Sequence, residues 1–107
     1  MTAKPVNERG RAKQDVQDAV DHYLGQGATA AARTFLEALE TAYLQISEHP
    51  SSGSPNYVER FGGPPGLRGW ALQGFPYVVF YLEAADRVDV VRVLHGRRDI
   101  PALMRGD

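Results

Sequence analysis

With 107 residues, 43% of them hydrophobic, and a formal net charge of -1, the chain is long enough to bury one core and too short to divide it between two. It has no cysteine, which excludes disulfides, thiolate metal sites and a cysteine nucleophile. The near-neutral balance argues against a protein that coats nucleic acid. Residues 11–49 carry six acids against three bases, and from Leu67 onward six arginines face five acids, so any anion-seeking surface is expected to be local.

The amino-terminal stretch is polar and broken by Pro5 and Gly10, without the apolar core of a signal peptide. The longest apolar run, Tyr77 to Leu82, is too short to span a bilayer as a helix. A cytoplasmic protein without membrane contact is expected. Thr2 to Glu8 offers a single β-branched apolar residue, Val6, beside a proline that cannot donate to a ladder, and predicts a short edge strand at most.

From Ala12 the apolar residues fall at Ala12, Val16, Ala19, Val20, Tyr23 and Leu24, a helical stripe with Asp15, Asp18 and Asp21 assigned to the wet side. Gly25-Gln26-Gly27 reads as its C-cap and turn, because no strand precedes the glycines as a dinucleotide-binding loop requires. Thr29 is the expected N-cap of a second helix, whose stripe of Ala32, Phe35, Leu36, Leu39, Ala42, Tyr43 and Ile46 runs to His49-Pro50. The short connection predicts an antiparallel hairpin over about residues 11–49.

Residues 50–66 hold four prolines and four glycines and read as a long loop. Leu67 to Gln73, Pro76 to Glu83 and Arg87 to His95 then predict three strands joined by tight turns, an antiparallel meander over residues 67–95. In the middle strand Tyr77, Val79 and Tyr81 alternate with Val78, Phe80 and Leu82, so both faces are apolar. One face is expected to meet the helices and the other a partner. A tail of residues 96–107 closes the chain, with Ile100 to Met104 readable as a last helical turn or an apolar tail.

Three segments, Leu67-Arg68, Phe75 through Tyr81, and Val91-Arg92-Val93-Leu94-His95-Gly96-Arg97-Arg98-Asp99, together resemble the C-terminal half of the ParE toxins, within the RelE/ParE superfamily of toxin–antitoxin modules. The order of elements is similar over about residues 10–104. The resemblance implies a single α+β domain, an N-terminal two-helix hairpin packed on a small antiparallel sheet that the family normally extends with an N-terminal strand. It also implies the toxin of a type II system, held in a hetero-oligomer by a ParD-like antitoxin of the ribbon-helix-helix kind. Freed, such a toxin inhibits DNA gyrase without cofactor, catalysis or sequence-specific contact with nucleic acid.

Two alternatives stand beside this. A RelE-like ribosome-dependent messenger-RNA nuclease needs a base, an acid and cations converging on one sheet face. His95 and the arginines offer candidates, but the lysine-rich sheet surface expected of such a nuclease is missing, since the only lysines, Lys4 and Lys13, are both amino-terminal. The other alternative is a decayed toxin that only binds its antitoxin.

Within this reading, Arg68, Arg92, His95, Arg97 and Arg98 are the expected target contacts, since planar guanidinium forks bind carboxylates and phosphates in pairs. Trp70, Tyr77 and Tyr81 are the expected antitoxin contacts, since aromatics anchor interfaces. Each has a plainer reading: Arg97-Arg98-Asp99 as a solvated turn, His95 as a structural hydrogen-bonding residue, and the aromatics as ordinary core. His22 and His49 read as structural or solvent-facing, and the three histidines lie too far apart for a zinc site.

Overall fold

The computed structural model describes residues 3–57 and 63–96. The elements are β1 (Val6–Glu8), α1 (Gly10–Gly25), α2 (Thr29–Glu48), a single 3-10 turn at Pro50–Ser52, β2 (Arg68–Ala71), β3 (Tyr77–Glu83) and β4 (Val88–His95). The strands form one sheet in the order β1-β4-β3-β2, antiparallel except for the parallel pair β1 and β4. The helix hairpin covers one face of that sheet, as the apolar periodicities predict. The Arg97-Arg98-Asp99 turn and the Ile100 to Met104 segment lie outside the described residues.

The short edge strand forms despite Pro5. The ladder uses that residue's carbonyl, which accepts the Val88 N–H at 2.9 Å, and then the Arg9 N–H donates to the Val90 carbonyl at 2.9 Å. No donor is asked of the proline. The carbonyl of Ser47 on α2 accepts the Lys4 N–H at 3.1 Å, so the segment before β1 is held from two sides.

The end of α1 is a Schellman closure. The Ala28 N–H reaches the Tyr23 carbonyl at 2.9 Å and the Gly27 N–H reaches the Leu24 carbonyl at 3.0 Å, with Gly27 at φ 72°, a left-handed conformation that a Cβ would oppose. One expectation is corrected here. Thr29 is the first helical residue of α2, and the N-cap is Ala28, which has no side-chain acceptor to offer. The closure of α1 uses the same residue, so the second helix starts without a spacer.

Phe35 and Ile46 are fully buried, with Ala32, Leu39 and Ala42 beside them. Complete burial of each large side chain stabilises the fold by roughly 1.5–3 kcal/mol. Leu36, placed on the same stripe by spacing, is instead 44% exposed. The apolar arc on α2 is wider than the sheet it covers. Asp15 corrects the α1 reading in the opposite direction: it lies three residues after buried Ala12, turns toward the sheet, and its side chain is only 11% exposed.

On the helix side the core joins Tyr77, Val79 and Tyr81 of β3 to Val88, Val90 and Val93 of β4. On the other face Phe80, Val78, Leu67 and Leu94 form a second, smaller cluster under Tyr57 and beside Leu82 and Val91. Tyr57 meets Phe80 edge-on at 4.9 Å, so part of the face expected to await a partner is covered by the chain itself. Gly69 makes this approach possible, since a Cβ there would overlap the Tyr57 ring. A bulge in β4 shifts the register between Phe80 and Tyr81, pairing Phe80 with Arg92 and Tyr81 with Val90. The extra residue switches which side of β4 faces the helices, from Val88 and Val90 to Val93.

Candidate functional site

Three side chains on the open sheet face converge on one carboxylate. Asp89 sits in β4 beside Asn7 of β1 and Leu82 of β3 in the sheet register, with its side chain only 6% exposed. It accepts from Arg9 at 3.1 Å, from Arg87 Nε at 3.0 Å and from Asn7 at 3.1 Å. These donors, Arg87 first, then Arg9 and Asn7, hold the Asp89 carboxyl down at about 2. It therefore stays ionised through the physiological range and orders two arginines at once.

Arg9 also borders a cleft of about 540 Å³ on the same face, formed by Arg9, Gly10, Arg11, Pro64, Leu67, Phe80, Leu82, Val91 and Arg92. Its floor is apolar, from Leu67, Phe80, Leu82 and Val91, and its lining carries three arginines. Arg92, expected from sequence as a target contact, lies here. Its Nε and a terminal nitrogen grip both oxygens of Asp15 at 2.8 and 3.0 Å, and the same carboxylate accepts the Val93 N–H at 2.9 Å. β1 ends at Glu8, opposite Val90, so Asp15 occupies a ladder position that no strand fills.

Arg68 does not join this group. It pairs with Tyr81 in the register, on the helix side of the sheet, and donates to the Gly53 carbonyl at 2.8 Å. Arg68 and Arg92 thus serve opposite faces. Arg97 and Arg98 lie outside the described residues. His95 ends β4 half-buried, its ring edge-on to Tyr77 at 5.5 Å.

The three expected antitoxin aromatics have separate environments. Tyr81 is fully buried, its hydroxyl donating to the Pro50 carbonyl at 2.7 Å and accepting the Gly53 N–H at 3.0 Å. Burial raises its phenol above the ordinary value. Tyr77 is 6% exposed and packs on Phe35 at 5.3 Å. Trp70 lines a surface groove, about 360 Å³ between α2 and β2, with Ala38, Ala42, Gln45 and Phe75 along it, and Tyr77 borders a second of about 460 Å³ beside Pro76, His95 and Gly96. The Tyr81 hydroxyl ties the loop after α2 and the Tyr77 ring joins the aromatic stack, whereas Trp70 is half-buried at the surface.

Sequence reasoning missed Arg9, Arg87, Asp89 and Asp15. Signals for two of them were present: a lone acid in the run Val88-Asp89-Val90-Val91 demands buried partners, and Asp15 falls on the helical phase of Ala12 and Ala19.

A two-helix hairpin laid across one face of a small four-stranded mixed sheet is the fold class of the ParE toxins. The family model described as ParE toxin of type II toxin-antitoxin system, parDE, matches residues 9–100, and the chain belongs to that family. The fold is similar to that of a solved structure described as the chromosomal ParDE TA system from P. aeruginosa, with a TM-score of 0.71 and 15% identity over 87% of this chain and 96% of that one. No curated protein matches the chain in sequence. Among the described residues no helix is long and apolar enough to cross a membrane.

Proposed function

We propose that this toxin works by binding and not by catalysis: released from a ParD-like antitoxin in the cytoplasm, it inhibits DNA gyrase and so stalls replication. The family match across residues 9–100 is the observation that carries the reading. The occupations of two sheet residues support it. A nuclease needs groups poised to exchange protons. Arg92 is clasped by Asp15 at 2.8 Å, and the His95 ring meets Tyr77 edge-on at 5.5 Å.

The antitoxin's seat in this reading is the groove between α2 and β2, where Trp70 and Phe75 supply aromatic anchor surface. Leu36 and Leu44, 44% and 61% exposed on α2, extend the apolar area available to a tail that must offset its ordering entropy. The target in this reading meets the opposite face, along the Arg92 cleft.

Supercoiling of relaxed plasmid by purified gyrase tests the proposal. Inhibition that antitoxin reverses is expected. Undisturbed supercoiling at large molar excess overturns it, and cleavage of translated messenger RNA lost in His95→Ala would move the assignment to the nuclease.

A further inference from the structure

We infer that the open sheet face docks an acidic protein segment bearing a bulky aliphatic side chain next to a carboxylate. The inference rests on the reading that the toxin acts by seizing a protein target, and it supplies the recognition chemistry.

Asp89 is a buried template for two arginines. Each guanidinium has five donors. Arg9 commits one N–H to Asp89, whereas Arg87 commits Nε to Asp89 and a second nitrogen to Asp86 at 3.3 Å. The two side chains remain 50% and 48% exposed, so their unused donors face solvent while their positions are fixed from beneath. The entropy of ordering two long side chains is thereby met before a ligand arrives. Asp86 is 79% exposed, and so solvated a pair yields easily to a competing carboxylate.

What lies next to this pair selects the ligand. Leu82 is the lateral neighbour of Asp89 in the sheet, and Leu82 opens the apolar floor of the 540 Å³ cleft, followed by Val91, Phe80 and Leu67. Strands lie about 4.8 Å apart and an extended chain advances about 3.3 Å per residue, so a carboxylate on Arg9 and Arg87 places an anchor one or two residues away over that floor. Phosphate would suit the guanidinium forks equally well. Nucleobases, however, bind by stacking on accessible aromatic faces, and Phe80, the cleft's aromatic residue, is fully buried. The surface left for contact is aliphatic.

The experiment uses the full chain and three fluorescein-labelled probes in anisotropy titrations: a short alternating glutamate–leucine peptide, the same peptide with glutamine for glutamate, and a single-stranded RNA oligonucleotide. The acidic peptide is expected to bind at least about tenfold more tightly than its amide counterpart, an advantage that Arg9→Gln and Arg87→Gln each abolish. Leu82→Ser is expected to weaken both peptides. Arg87→Lys, which keeps the charge beside Asp89, guards against a folding artefact and should retain part of the preference.

Equal affinity for the two peptides, or no binding of either, overturns the inference. Binding of RNA that the same variants abolish also overturns it, in favour of a nucleic-acid surface. Gyrase supercoiling run in parallel keeps the two readings apart. A peptide preference without gyrase inhibition leaves the docking chemistry standing and removes the target, and gyrase inhibition that survives Arg87→Gln removes the docking chemistry alone.

Discussion

Asp15 and Arg92, 77 positions apart in the chain, meet through two parallel hydrogen bonds that fasten the first helix to the last strand. The pair is largely sheltered, with side chains 11% and 14% exposed, and the same carboxylate takes the Val93 N–H of a strand whose neighbour has ended. It is thus both an ion pair and a substitute for missing sheet.

Asp15→Ala removes the acceptor of three donors at once. A loss of about 3 kcal/mol is expected in urea unfolding, as for breaking other sheltered pairs. Asp18→Ala, which removes an acceptor for Gln14 on the exposed helix surface, should stay within about 0.5 kcal/mol. Equal effects from the two variants would refute the role given to Asp15.

Acid should reveal Asp89. Its folded carboxyl is held at about 2 against an ordinary 3.8, so its contribution to stability is complete above the ordinary value and is lost as pH falls through the folded one. The unfolding free energy is expected to decline between pH 4 and 2, about the interval bounded by those two values, and Asp89→Asn should flatten that decline. At neutral pH the variant should be less stable than the native chain. An unchanged acid slope in Asp89→Asn would assign the effect to other carboxylates.

Tyr81→Phe keeps the ring and deletes the hydroxyl that tethers the loop after α2. The buried Gly53 N–H then loses its acceptor, a cost of about 1–3 kcal/mol. Faster hydrogen exchange at Gly53 is the local signature, and protection there equal to the native chain's would show that the tether is dispensable.

Trp70→Ala bears on the antitoxin groove. A loss of about 2 kcal/mol in affinity for the cognate antitoxin is expected by calorimetry, with thermal stability checked alongside. Gln26→Ala, at the turn between the helices, is the control and should leave affinity unchanged. Native affinity in the Trp70 variant would move the antitoxin elsewhere.

The helices were legible because periodicity is local: Phe35, Leu39, Ala42 and Ile46 repeat every three or four residues, and all four are buried. The meander was legible for the same reason, from alternation and turn residues. The depth of each position was harder to read. Leu36 shares the stripe yet overhangs the sheet, and the β4 bulge shifts the alternation where a pattern of period two would run on. The arginine arrangement was the least legible, since Arg9 and Asp89 are 80 positions apart and no local pattern encodes their meeting. Arg68 and Arg92 both looked like members of one cluster; strand parity and the bulge send them to opposite faces.

The parallel pairing of β1 with β4 gives this toxin a particular dependence on complete synthesis. Asn7 and Asp89, joined across the ladder, are 82 positions apart, so β1 has no sheet partner until β4 has left the ribosome. A nascent chain halted before Val88 lacks the scaffold on which both arginines are set.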